Sequence, residues 1–275
     1  MKPAPFDYVR CDSLEEAAEV IAQHGDAVRV LAGGQSLMPM LNMRLSRPSV
    51  LADIMQAGDA RQITADKATL RIGAGVRQTA LSAYPDLCKI NPLLARALPW
   101  VGHTQTRARG TVCGSVAHAD PSAEIPLTLA ALDGTVILRR GGKRRRVTAS
   151  DFFLGMMLTD KADDEIIEAV EFPILSEGTG VGFCEVGRRK GDFAIVACAA
   201  LVSPDRVRLA VGGVNDTPVI RDWDAFDPAE ESDALNALAW SLDAREDLHA
   251  SARYRRDLVR SLGAKALQEA RTCAA

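Results

Sequence analysis

Apolar and polar positions change period several times along the chain, and each change marks an element. "FDYVRC" alternates like a short strand, "SLEEAAEVIAQHG" spaces its apolar residues as on a helix, and "AVRVL" alternates again. Ser13 and Glu16 have the spacing of a capping box at the helix start, and Gly25 stands at its end. "SVLADI" and "TLRIGAGV" predict further strands. "RQTALSAYP" running into "INPLLARALPWVG" predicts helix, with Pro92 near a helix start. Strands and helices alternate in this way up to about residue 150.

Beyond Pro173 the pattern changes. "GFCEVG", "AIVACAALV" and "RVRLAVGGV" are three β-type runs joined by turn residues, which predicts an antiparallel three-stranded sheet. "SDALNALAWSL" and "SARYRRDLVRSLGAKALQEAR" return to helical spacing and predict a helical layer on that sheet. The fold class is therefore α+β. Boundaries are expected near Met55 and in the Gly-rich stretch "SEGTG", dividing the chain into 1–175, with subdomains of about 1–55 and 56–175, and 176–275.

Composition adds limits. At 275 residues, 47% hydrophobic and 25% charged, the chain reads as an ordinary soluble globular protein, long enough for two or three compact units and a buried cleft. A net charge of −3 supplies no general drive toward nucleic acid or anionic membrane. The longest apolar run, "AIVACAALV", is about half of what a bilayer span needs, and the N-terminus has no apolar signal core, so a cytoplasmic location without a membrane span is the expectation. Six cysteines are scattered with no CxxC pair, so neither a zinc site nor an iron–sulfur cluster has its usual spacing.

Two glycine-bearing stretches carry the candidate chemistry. "AGGQS" (Ala32 to Ser36) follows a strand and can turn successive backbone N–H groups toward an anion, but it matches neither a dinucleotide fingerprint nor a phosphate-binding P-loop. Alone it reads first as a tight strand-ending turn. "RGTVCGSVAHADP" repeats the theme with Gly110, Thr111, Gly114 and Ser115, and ends in Asp120-Pro121, where Pro121 suits a first helical position. Asp120 is either the cap of that helix or an acceptor for ligand hydroxyls. Two such loops predict a ligand with two phosphates and an extended body.

These stretches resemble the two FAD loops of the flavoprotein (medium) subunit of molybdenum hydroxylases, the carbon monoxide dehydrogenase and xanthine dehydrogenase family. The family patterns are A-G-G-[HQ]-S and T-[IV]-G-G-[NS], and the likeness extends through "FCEVGRRKGDFAIVACAA" to the terminal "YRRDLVRSLGAKAL". The resemblance implies a PCMH/VAO-like FAD-binding domain over 1–175 and a C-terminal flavoprotein domain over 176–275. It implies FAD held by Leu31, Ala32, Gly33, Gly34, Gln35, Ser36, Leu37, Thr111, Cys113, Gly114, Ser115, Ala117, Asp120, Ile167 and Lys190. Gly33, Gly34, Gln35 and Ser36, together with Thr111, Gly114 and Ser115, would supply backbone donors to the diphosphate. Cys113 departs from the pattern, standing where the second motif has its first glycine, and would cost strain if that position needs positive φ. No side-chain acid or base is assigned to catalysis, and no metal to this chain.

The function implied is that of an oxidoreductase subunit in a heterotrimeric complex, arranged as a dimer of heterotrimers. A large subunit would carry the molybdenum cofactor and a small one the [2Fe–2S] clusters; electrons would reach FAD here and leave to an external acceptor. The alternatives are a stand-alone FAD oxidoreductase and a non-catalytic nucleotide-binding assembly module, the latter suggested by Cys113.

Other features have plain readings beside sharper ones. "LRRGGKRRRV" is a strand–Gly-Gly–strand hairpin with solvated arginines rather than a nucleic-acid patch, since no aromatics interleave it. His103 and His118 flank the second loop and are read as structural. Met38, Met40 and Met43 are read as core or subunit-contact packing. Arg188 and Arg189 with Asp192 either tune a flavin's field or form a surface ion pair.

Overall fold

The computed structural model describes residues 2–224 and 228–274. Three main sheets with their helices, and one small two-stranded hairpin, make up the described chain.

The first is a three-stranded parallel sheet. β1 (Asp7–Arg10) and β2 (Val28–Leu31) both pair with the central β3 (Val50–Asp53), and α1 (Leu14–His24) and α2 (Leu37–Asn42) make the crossovers. Helix α1 forms as its sequence predicts. The Ser13 hydroxyl accepts from Glu16 N–H at 3.1 Å, and the chain turns out at Gly25, whose φ is 58°. The reciprocal bond of the box falls one residue early, from Asp12 N–H to the Glu16 carboxylate at 2.7 Å. The buried side of α1, Leu14, Ala17, Ala18 and Ile21, packs with Val28, Val50 and Ala52.

The second is a five-stranded antiparallel sheet of β4 (Ile63–Ala65), β5 (Thr69–Gly73), β6 (Thr135–Arg140), β7 (Lys143–Thr148) and, at its centre, β10 (Ile166–Pro173). Between β5 and β6 run six helices: α3 (Gln78–Ser82), α4 (Leu87–Ile90), α5 (Pro92–Ala97), α6 (Thr104–Arg109), α7 (Val112–His118) and α8 (Glu124–Ala131). α9 (Ala149–Phe152) and the small hairpin of β8 (Phe153–Gly155) and β9 (Leu158–Thr159) lead from β7 back to β10. Pro92 opens α5 as expected, with Asn91 Oδ1 accepting from Leu94 N–H. The β6–β7 hairpin also forms, but its arginines are not simply solvated. Arg144 and Arg146 pair with Glu168 and Glu171 on the face away from the main core, while Arg145, opposite the core residue Leu138, pairs with Glu165 and Asp160 on the other side.

The third sheet has β11 (Gly180–Gly187), β12 (Ala194–Val202), β13 (Arg206–Gly212) and β14 (Val219–Asp224) in that order, all antiparallel. β14 adds a fourth strand to the three the pattern predicts. Its sequence, "VIRDWD", lies half exposed at the sheet edge and so lacks the apolar run of its neighbours. α10 (Glu231–Ser241) and α11 (Ala252–Ala274) cover one face. The other face joins α5 and α8 in the main core, where Val181, Phe183, Ala197 and Ala199 share a cluster with Leu93 and Leu127. Burial on both faces accounts for the unbroken apolar run of β12. At Gly182 a Cβ would stand 2.8 Å from the Ala266 carbonyl carbon, so α11 lies directly on the strand. Arg255 of α11, 2% exposed, donates to the carbonyls of Ile195 and Gly213 and to Asp247, tying the helix to the strand ends. Among the described residues no helix is long and apolar enough to cross a membrane.

Candidate functional site

The end of β2, the start of α7, the start of β10 and the turn after β11 converge on one cavity of about 620 Å³, inside the size range of small-molecule and cofactor sites. It is lined by both glycine-bearing stretches.

The first stretch is a true loop. Gly34 has φ 71°, the left-handed region that a side chain resists, and the turn delivers the chain to α2. Among the described residues the N–H groups of Gly33, Gly34, Gln35 and Ser36 have no hydrogen-bond partner, leaving four successive donors along the cavity wall. Such a run is a nest for anions. Gly33 answers to a different constraint: a Cβ there would collide with the Arg109 carbonyl oxygen and lie 2.6 Å from Gly110 Cα. The missing side chain lets the two stretches touch backbone to backbone.

The second stretch is a capped helix start rather than a loop. The Thr111 hydroxyl accepts from Gly114 N–H at 3.0 Å, and Ser115 N–H bonds to Thr111 O at 3.2 Å. The donors expected of Gly114 and Ser115 are thus used inside α7. Among the described residues it is Thr111 and Cys113 whose N–H groups stay unpaired, as the first turn of a helix leaves them. Gly114 is small because a Cβ would stand 2.6 Å from the Thr111 hydroxyl oxygen and break this cap.

The strain expected at Cys113 is absent. Cys113 is in α7 and is not among the positive-φ residues. Its side chain is buried toward β5, with Sγ donating to Ile72 O at 3.4 Å, and burial pushes its thiol pKa up to about 12. A second correction concerns Asp120. The next helix starts at Glu124, not at Pro121, and Asp120 instead holds the turn before it by accepting from Ser122 N–H at 2.8 Å.

Of the other residues implied, Ala32, Leu37, Ala117, Asp120 and Ile167 line the cavity, Ile167 from a bulge in β10. Leu31 and Lys190 do not; Lys190 is exposed in the β11–β12 turn, whose Gly191, Asp192 and Phe193 reach the cavity in its place. Arg189 pairs with Asp192 at 3.0 Å on the surface. His103 packs on Gly191, where a Cβ would lie 2.5 Å from its ring, and His118 lines the cavity. Met40 lines it too, whereas Met38 and Met43 are exposed rather than core.

Three further lining residues are not among those the resemblance implies. Lys161 is half buried, donates Nζ to the Ala162 and Glu165 carbonyls at 2.8 and 3.2 Å, and has its pKa lowered by burial. Glu124, 4% exposed, opens α8 with its carboxyl pKa raised, first by burial. Phe193 stands at the rim, 63% exposed. An acid at a helix start and a lysine among aspartates look like ordinary surface features in sequence; a lone aromatic after Gly-Asp was the one usable signal.

The chain matches two family models, "FAD binding domain in molybdopterin dehydrogenase" over residues 4–175 and "CO dehydrogenase flavoprotein C-terminal domain" over 182–270. It is 37% identical to the 6-hydroxypseudooxynicotine dehydrogenase complex subunit alpha of Paenarthrobacter nicotinovorans, over 98% of this chain and 97% of that one. Among solved structures it resembles carbon monoxide dehydrogenase from Hydrogenophaga pseudoflava (TM-score 0.93, 29% identity, 100% of both chains). It also resembles quinoline 2-oxidoreductase from Pseudomonas putida 86 (TM-score 0.90, 32% identity, 100% and 99%). Unpaired donors, cavity size and family agree on FAD as the cofactor of this oxidoreductase subunit. The chain belongs to the FAD-binding medium subunits of the molybdenum hydroxylase family.

Proposed function

We propose that this chain is the electron outlet of a heterotrimeric molybdenum hydroxylase: it takes electrons from [2Fe–2S] clusters on a small subunit and passes them through FAD to an external acceptor. Substrate oxidation belongs to a large subunit with the molybdenum cofactor, and the assembly is a dimer of heterotrimers in the cytoplasm. Residues 1–175 form the cofactor-binding part and 176–275 the flavoprotein C-terminal part.

The observation that carries this reading is the row of unpaired donors from Gly33 to Ser36, facing one cavity together with those of Thr111 and Cys113. These groups would hold the diphosphate, with preorganised N–H dipoles replacing its hydration. Ala32, Leu37, Ala117 and Ile167 would pack against the cofactor, and Asp120, whose second carboxylate oxygen accepts no bond among the described residues, would take a hydroxyl. FAD supplies the redox chemistry when bound; the protein orients it and excludes water.

The test is an absorption spectrum of the purified chain, followed by substrate addition to the intact complex. About one oxidised flavin per chain, bleached by substrate in the complex and not in the isolated chain, is the expected result. Substrate oxidation by the isolated chain would overturn the outlet reading in favour of a stand-alone enzyme, and a colourless chain that refuses added FAD within its complex would overturn the cavity assignment.

A further inference from the structure

One pair of groups next to the cavity has no part in binding a diphosphate. Glu185 lies on β11 in phase with Val181 and Phe183, so it faces the main core, while Cys184 between them belongs to the core under α11. It is 8% exposed, and its Oε2 is buried with no hydrogen-bond partner. A carboxylate held this way would be an uncompensated buried charge. Glu124, at the start of α8 on the cavity wall, is the charge that acts on it among the described residues.

No cation acts on Glu185 among the described residues, and Glu124 has only its own backbone N–H and one otherwise engaged arginine in its favour. Glu124 faces Asp120, which repels it, and Arg107 of α6, whose NH1 is engaged by the carbonyls of Val101 and Gly102 at 2.8 Å. The residue opposite Glu185 on β12 is Ala197. Neither glutamate forms a salt bridge among the described residues. Two buried carboxyls that sense one another cannot both ionise at modest cost, so their protons come off in two separate steps.

We propose that Glu124 and Glu185 hold one proton between them in mildly alkaline solution and take up a second from solvent when the cofactor in the cavity is reduced, coupling electron arrival to proton uptake. The proposal rests on the reading that this cavity holds FAD. Glu185 keeps its proton throughout. As two electrons bring negative charge into the cavity, a solvent proton forms the O–H bond on the Glu124 carboxylate, and no bond of the pair breaks. Both pKa values are raised above the ordinary carboxylate range, in the order this requires: Glu124, which meets the cavity, ionises before Glu185, which does not.

The test uses the full chain loaded with FAD, with Glu124→Gln and Glu185→Gln as isosteric variants, at about pH 8, between the two titrations. The infrared spectrum of the oxidised wild type is expected to show a protonated carboxyl stretch that persists in Glu124→Gln and vanishes in Glu185→Gln. Dithionite reduction in weakly buffered solution, read with an indicator dye, is expected to consume about one proton more per flavin in the wild type than in Glu124→Gln. No acid band in the wild type, a band indifferent to Glu185→Gln, or equal uptake in wild type and Glu124→Gln would each overturn the proposal. Flavin content is measured first. A chain that binds no FAD sinks the cavity reading and the redox half with it, while the acid band, which needs no cofactor, still decides whether the pair holds its proton.

Discussion

The two glycine-bearing stretches look alike in sequence and are built on different physics. In Ala32–Ser36 the glycines serve the backbone: Gly34 takes a left-handed conformation and Gly33 lets the chain lie against Arg109 and Gly110. In Thr111–Ser115 the glycine serves a side chain, since Gly114 leaves room for the hydroxyl that caps α7. The first presents a row of free donors because it has no regular structure. The second presents two because it is the first turn of a helix. A backbone constraint has no side chain to move aside, so the two stretches are expected to differ sharply in their tolerance of a single methyl group.

Gly33→Ala is the harshest test of that difference. Ordinary overpacking costs about 1–3 kcal/mol where side chains can shift, and here the obstacle is main chain on both sides, so a loss at or above the top of that range is expected. The same shift would part the two stretches, so bound FAD should fall with stability. Thermal melts and flavin content of the purified variant measure both. A variant that melts with the wild type and keeps its flavin would show that the contact is not tight.

Gly34→Ala comes next. Its cost is that of a left-handed residue, about 1–2 kcal/mol. Gly34→Asn should recover part of it, because asparagine tolerates that region better. Equal losses from Ala and Asn would mean that bulk, such as contact with the Met38 side chain 3.2 Å from a Cβ, matters more than φ.

For the second stretch the informative measurement is a cycle. Thr111→Ala should cost about 1 kcal/mol as a lost cap. Gly114→Ala should hurt in the wild type by displacing the hydroxyl, yet stabilise slightly in Thr111→Ala, where alanine's better helix propensity is all that remains. The expected coupling is about 1 kcal/mol. Simple additivity would show that Gly114 is not kept small by Thr111.

Much of this is legible in the sequence, and the boundary of legibility follows the range of the interaction. Ser13 with Glu16, Gly25 and Pro92 act within a turn of where they stand, and each does what its position predicts. The two motifs were found because their spacing is local too. The conformation of the second was misread because Gly, Thr and Ser are loop residues by composition, and only the Thr111 bond to Gly114 shows a helix beginning there. Asp120-Pro121 was misplaced for the same reason: an Asp that holds a turn and an Asp that caps a helix look identical. Glu124, Lys161 and Glu185 lay beyond reach, since what distinguishes them is burial by segments far away in the chain. β14 was missed because an edge strand needs no apolar run.

Cys113 carries the smallest expected effect and closes the comparison. It stands where the family motif has glycine, and a ligand that approached its side chain would make the substitution costly for FAD. The geometry says otherwise. The residue is on α7 and lines the cavity, its N–H has no partner among the described residues, and its sulfur bonds Ile72 O in β5. Cys113→Ala removes only a buried thiol and its weak bond, so stability should drop by about 0.5–1 kcal/mol, with alanine's helix propensity offsetting part of the lost packing. The flavin spectrum and the affinity for added FAD should not change. A rise in FAD affinity would mean that the sulfur crowds the cofactor and that the departure from the motif weakens binding. Unchanged affinity would place the glycine requirement of this family position in the approach of the backbone, which Cys113 already permits, and not in a need for an empty side chain.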